Sequence, residues 1–131
     1  MAANLSAPAA LRATGRAFPG AAGQVRAARR FLAGVLDGCP AGDDALLCLS
    51  ELAANAVLHS WSGRPGGAFT VVAATVPGWL RVGVCDQGGP WRPGDVAGPG
   101  GRGLVIVARL ASRWGRDGGD AGRTVWFEID W

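Results

Sequence analysis

Lysine is absent from all 131 residues, and that alone removes one class of nucleotide site. A Walker-type phosphate loop needs a lysine to reach the terminal phosphates, so this is not a P-loop protein. Tyrosine is missing as well, and His59 is the one histidine. The three cysteines, Cys39, Cys48 and Cys85, form no CxxC pair and no ligand-like spacing with His59, which argues for buried structural thiols rather than a zinc site or a disulfide framework. No stretch reaches the ~18 apolar residues of a membrane span, and the opening MAANLSAPAALR has neither a basic start nor a sustained apolar run. A cytoplasmic protein with no membrane partner is expected. Charge is scarce, at 18% of residues, and every basic side chain is an arginine, scattered from Arg12 to Arg123. A net charge of +3 without a basic run does not demand nucleic acid.

What is present is apolar: 49% of the residues are hydrophobic, enough for a packed interior, and the length suits one domain rather than two. Residues 1–10 are small and unpatterned, and read as a flexible N-terminal arm before a domain over residues 11–131. Residues 11–18 alternate enough for an edge strand, stopped by Pro19-Gly20. Val25, Ala28, Phe31, Leu32, Val35 and Leu36 recur at helical spacing and end at Asp37-Gly38-Cys39-Pro40. Asp43-Asp44 offer an N-cap and an acidic first turn to a second helix that runs to about Ser60. Residues 69–76 and 80–86 read as strands joined by Pro77-Gly78 into a hairpin. Residues 87–101 are rich in Gly, Pro and Asp and lack periodicity, residues 104–111 form a short apolar helix, and Trp114 and residues 125–129 mark two closing strands joined by residues 117–122. The order β, α, α, β, β, loop, α, β, β predicts an α+β two-layer sandwich with a mixed, mostly antiparallel sheet and helices on one face.

Chemistry shows first on the second helix. Leu46, Leu49, Ala53, Ala56 and Val57 make one apolar stripe, but the opposite stripe collects Leu47, Cys48, Glu51, Asn55 and Leu58 instead of solvated residues. A carboxylate and an amide one turn apart among apolar neighbours need partners, because burying an unpaired polar group costs roughly 1–3 kcal/mol. Glu51 can polarise a nucleophile while the Asn55 carbonyl holds a cation; an ordinary helix hydrogen bond, or surface exposure of this stripe, is the plainer alternative. Asp86 ends an apolar strand and is followed by Gln87-Gly88-Gly89, which places an acceptor either in a cleft or at the start of a turn. Residues 98–103, of sequence GPGGRG, lead directly into Leu104-Val105-Ile106-Val107, where the free N–H groups of a helix start attract phosphate; a simple loop and helix start has the same pattern.

These three segments, in this order, resemble the Bergerat-fold ATPases, the superfamily of histidine kinases, gyrase and Hsp90, and within it the small anti-sigma factor serine kinases. Glu51 to His59 match the family's E-x-x-x-N-A-x-x-H box, Asp86-Gln87-Gly88-Gly89 its D-x-G-x box, and Gly101-Arg102-Gly103-Leu104 its G-x-G-hydrophobic box. Gly122-Arg123-Thr124-Val125-Trp126-Phe127 resembles the family's last strand, whose threonine lies near the adenine. The likeness runs over residues 12–127.

The resemblance implies ATP and Mg²⁺ as cofactors. Asn55 would coordinate Mg²⁺, Asp86 would accept from the adenine amine with Gly88 and Thr124 beside it, and the backbone of Gly101, Gly103 and Leu104 would meet the phosphates. His59 would approach the phosphates or simply close its helix, and Arg102 would contact phosphate or lie free on the surface. Glu51 would be the general base on a protein serine hydroxyl. The implied function is a serine/threonine kinase that holds a sigma factor and phosphorylates an antagonist protein; the alternative is a catalytically weak, nucleotide-gated binding module. The implied partners are proteins, a homodimer included. Trp61, Trp91 and Trp131 fall in loops or at the terminus and are candidate contacts for them. The segment 90–99 is short and rich in Pro and Gly, so an ordered lid is not assumed.

Overall fold

Alternating burial along the strands builds the architecture. The computed structural model describes residues 11–89 and 99–131, with backbone alone for residues 99–103. Strands β1 (Arg12–Pro19), β2 (Ala68–Val76), β3 (Trp79–Asp86), β4 (Arg113–Gly119) and β5 (Gly122–Asp130) form one sheet in the order β1-β2-β3-β5-β4. All four pairings are antiparallel, so the sheet, expected to be mostly antiparallel, is antiparallel throughout. Pro77-Gly78 turns β2 into β3, and Gly78 carries the φ of 88° that such a turn needs at its second central residue. Asp120-Ala121 connects β4 to β5, so residues 117–119, expected in the turn, belong to β4 instead.

One face of the sheet carries Phe69, Val71, Ala73, Leu80, Val82, Val84, Val125, Phe127 and Ile129, all buried. Helices α1 (Gly23–Val35), α2 (Gly42–His59) and α3 (Pro99–Leu110) cover this face, and a single cluster joins their apolar sides to it. Each fully buried Leu, Val or Phe contributes about 1.5–3 kcal/mol of transfer free energy, which is why the period of two along the strands fixes their register. The opposite face is left uncovered by helices. There Arg81 lies 4.2 Å over the Trp126 ring and pairs with Glu128, which Arg113 also holds. The Arg113 bond, with that of Arg81, holds the Glu128 carboxyl below the ordinary carboxylate range against the opposing effect of burial.

Helix α2 departs from expectation in two ways. Its cap is Ala41, whose side chain makes no capping bond, and Asp43 and Asp44 sit inside the first turn, where they face the positive helix end. The stripe of residues 47, 48, 51, 55 and 58 also splits: Cys48 and Asn55 are buried, Glu51 is half-buried, and Leu47 and Leu58 are exposed. Burial, with Asp44 and Glu51 nearby, pushes the Cys48 thiol up to about 12. Maleimide at pH 8 should therefore label Cys39 and Cys85, both partly accessible, and spare Cys48 until the chain is unfolded. Rapid native labelling of Cys48, read by mass spectrometry, would contradict this packing.

The N-terminal arm 1–10, the segment 90–98 and Trp91 lie outside the described residues. Among the described residues no helix is long and apolar enough to cross a membrane.

Candidate functional site

The C-terminal half of α2, the end of β3 and the start of α3 converge. Asn55 on α2 and Asp86 at the end of β3 face one hollow, closed by Leu52, Ala56, Val84, Val125 and Leu104. Asn55 is buried, and its Nδ2 has no hydrogen-bond partner among the described residues. A buried amide without a partner costs roughly 1–3 kcal/mol, so it marks a place where the fold has given up stability. A half-turn of the carboxamide exchanges its two ends, and its oxygen suits a hard cation such as Mg²⁺.

Asp86 is held on both oxygens. Its Oδ1 accepts from the Gly88 N–H at 2.7 Å and its Oδ2 from the Arg123 Nε at 3.2 Å, with both charged side chains almost fully buried. Gly88 has a φ of 79°, and a Cβ there would lie 2.2 Å from the Asp120 carbonyl oxygen, so glycine is required by the close approach of the β4–β5 turn. The loop after Asp86 is also tied to the end of α2. The Trp61 N–H donates to the Gly88 carbonyl and the Gln87 N–H to the Ser62 hydroxyl, both at 2.9 Å, while the Gly89 N–H donates to the Asp120 carbonyl. The two halves of the hollow are thus fixed to each other by backbone bonds.

The glycine segment behaves differently from a loop. Helix α3 begins at Pro99, so Gly101 and Gly103 lie in its first turns. In a helix starting there, the Gly100 and Gly101 N–H groups have no intrahelical acceptor and point out of the helix start, whereas the Gly103 N–H is spent on the Pro99 carbonyl. Leu104 roofs the hollow; the Arg102 side chain lies outside the described part.

Three expected residues stand apart. Glu51 is one turn from Asn55 but does not line the hollow. Thr124 pairs with Cys85 on the uncovered face of the sheet and donates its hydroxyl to the Cys85 sulfur at 3.3 Å, so it faces away from Asp86. His59 is half-buried and is the last residue of α2, and it does not line the hollow. The residue at the level of Asp86 that does face it is Arg123, which the sequence reading passed over. The signal was available, because Arg123 is in phase with the buried residues 125, 127 and 129 and Thr124 is not.

The donor set fits a magnesium nucleotide in kind, with an orphaned carboxamide, a carboxylate and an open helix start. The space does not yet fit a base: the hollow measures about 10 Å³, the lower limit for one water. Larger hollows lie elsewhere. One of about 550 Å³ at the opposite end of β3 is lined by residues 35–40, residues 75–77, Arg12 and Trp131. Of the tryptophans expected to meet partners, Trp131 is part-exposed there, while Trp61 is covered by the Arg64 guanidinium at 3.3 Å from its ring centre. No group of three or more metal-ligating side chains occurs among the described residues.

A family model described as the histidine kinase-like ATPase domain matches residues 18–129. No curated protein matches the sequence. Among solved structures, the RsbU and RsbW domains of Rv1364c from Mycobacterium tuberculosis share the fold, with a TM-score of 0.65 and 20% identity over 91% of this chain. The likeness spans 32% of that longer chain. With a five-stranded antiparallel sheet, helices on one face and a family match over nearly its whole length, the chain belongs to the histidine kinase-like ATPase domain family, and that membership implies ATP binding.

Proposed function

We propose that this chain is an ATP- and Mg²⁺-dependent regulator of the anti-sigma factor type, a protein serine/threonine kinase acting on a small antagonist protein. The observation that carries the reading is buried Asn55, whose Nδ2 has no hydrogen-bond partner among the described residues and which lines the same hollow as Asp86 beside the start of α3. Asn55 would hold Mg²⁺ and Asp86 the exocyclic amine of the base. The N–H groups at the start of α3 would meet the phosphates. Mg²⁺, when bound, supplies neutralisation of charge on the transferred phosphoryl group. Glu51, half-buried one turn before Asn55, would take the proton of an incoming serine hydroxyl at its carboxylate.

Sigma-factor binding, a homodimer and a cytoplasmic setting belong to the same proposal and rest on the family resemblance. The displacement of Glu51 from the hollow favours a second reading, in which nucleotide gates protein binding without transfer. Transfer of labelled phosphate from ATP to antagonist proteins of the same organism separates the two. In the kinase reading Glu51→Ala lowers transfer by about a hundredfold and leaves ATP affinity within about twofold. No transfer by the unsubstituted chain, with ATP bound, would establish the binding module instead.

A further inference from the structure

We propose that the outer stripe of α2 on either side of Glu51 is the surface on which the protein substrate docks, with Leu47 and Leu58 anchoring a basic, amphipathic segment of it. The inference rests on the kinase reading above and names the place where the hydroxyl-bearing partner is held. At about 100° per residue, Asp44, Leu47, Glu51 and Leu58 fall within about 60° of one another around the helix, so they form one line along it. Asp44, Leu47 and Leu58 are exposed and Glu51 is half-buried. Leu58, at 67%, is the most exposed large hydrophobic side chain among the described residues, and Leu47 stands at 43%. A single exposed leucine is ordinary. Here two of them bracket a carboxylate, one turn before it and two turns after it, over roughly 16 Å of helix.

The same angular count places Glu51 between the leucines and Asn55, which lies about 40° further round and lines the hollow. Glu51 thus stands at the boundary between the nucleotide site and the open surface. Apolar side chains of Leu52, Ala56, Val84, Val125 and Leu104 close the hollow, so a hydroxyl that meets the Glu51 carboxylate arrives along the stripe. Charge gives the chemistry of the partner. Asp43, Asp44 and Glu51 are the acids of α2, the helix holds no arginine, and its one basic side chain is His59 at the last residue. None of the three acids is in an ion pair among the described residues, although α1, packed against α2, carries the exposed Arg26, Arg29 and Arg30. A partner segment with arginine or lysine beside apolar side chains would bury the leucines at the centre of the contact and complement the acids at its rim.

The test is steady-state transfer of labelled phosphate from ATP to the antagonist protein of the same organism that the unsubstituted chain phosphorylates, with MgATP calorimetry and sedimentation on each variant. Leu47→Arg and Leu58→Arg should each raise KM for the protein substrate at least about tenfold, with kcat and MgATP affinity within about twofold. Asp43→Asn with Asp44→Asn should raise KM about threefold and flatten its increase with salt. Val72→Arg, an equally drastic change at an exposed residue on the uncovered face of the sheet, should leave KM where it is. Where an arginine variant does not fold, Leu58→Ser, the smaller change at the more exposed position, carries the test with the same readout. KM unchanged in the leucine variants overturns the docking stripe and leaves the kinase reading intact. A fall in kcat alone overturns it too, because the leucines would then act through α2 itself. Self-association lost in Leu58→Arg with KM unchanged gives the stripe to a second copy instead. No transfer by the unsubstituted chain to any antagonist overturns the kinase reading and the docking with it.

Discussion

Replacing Asn55 with alanine should remove MgATP binding while leaving the melting temperature unchanged or higher. Most buried polar residues behave the other way, because their partners are stranded when they are cut back. Here Nδ2 has no partner among the described residues to strand, and the neighbours Leu52, Ala56, Val84 and Leu104 are apolar. Truncation trades an unsatisfied amide for a small void, and the two terms are each about 1–3 kcal/mol with opposite sign. The functional loss should exceed about a hundredfold in affinity, since a cation would lose its protein oxygen. Calorimetry with MgATP and a thermal melt on the same sample decide it. A variant that melts more than about 5 °C lower, roughly 1 kcal/mol for a domain of this size, and still binds MgATP would show that Asn55 serves the core instead.

Asp86→Ala carries the second large effect, and it falls on both stability and binding. Removing one member of a buried ion pair leaves the other uncompensated, at a cost of about 3–5 kcal/mol. Arg123 would lose this carboxylate, and the Gly88 N–H its acceptor. ATP affinity should fall by about a hundredfold, the value of a hydrogen bond to a charged group. Denaturant unfolding measures the first and calorimetry the second. Undiminished affinity in a folded Asp86→Ala protein would defeat the placement of the base.

The elements were largely legible because the forces that make them are local. The hairpin at Pro77-Gly78, the amphipathic first helix and the alternation in β5 each rest on spacing within a dozen residues. The register of β5 was legible too, although the family resemblance singles out its threonine. Counting in twos from the core residue Phe127 leads to Val125 and then Arg123, whose charge hid its burial. What composition could not give was partnership. Whether an arginine lies in water or against a carboxylate 37 residues earlier depends on β3 and β5 being neighbours, and that comes from the whole sheet. The split of the second stripe on α2 has the same origin. Angular position around a helix places Leu47, Cys48, Glu51, Asn55 and Leu58 together, yet α3 and the sheet cover only part of that arc, leaving Leu47 and Leu58 uncovered. Glycines at 101 and 103 read as loop because each costs about 1 kcal/mol in a helix interior, and they lie where a helix start tolerates them.

Strand β1 has a consequence of another kind. Of its eight residues only Phe18, stacked on Phe69, enters the interior; the other seven are exposed. The strand is therefore attached by its backbone ladder to β2, by one ring and by Arg16 over the Phe31 ring, and water can replace every bond of that ladder. Peeling it away would uncover β2 while the remaining four strands kept most of their packing. The molecule thus possesses a detachable margin, and the edge beneath it is a ready template for an incoming strand.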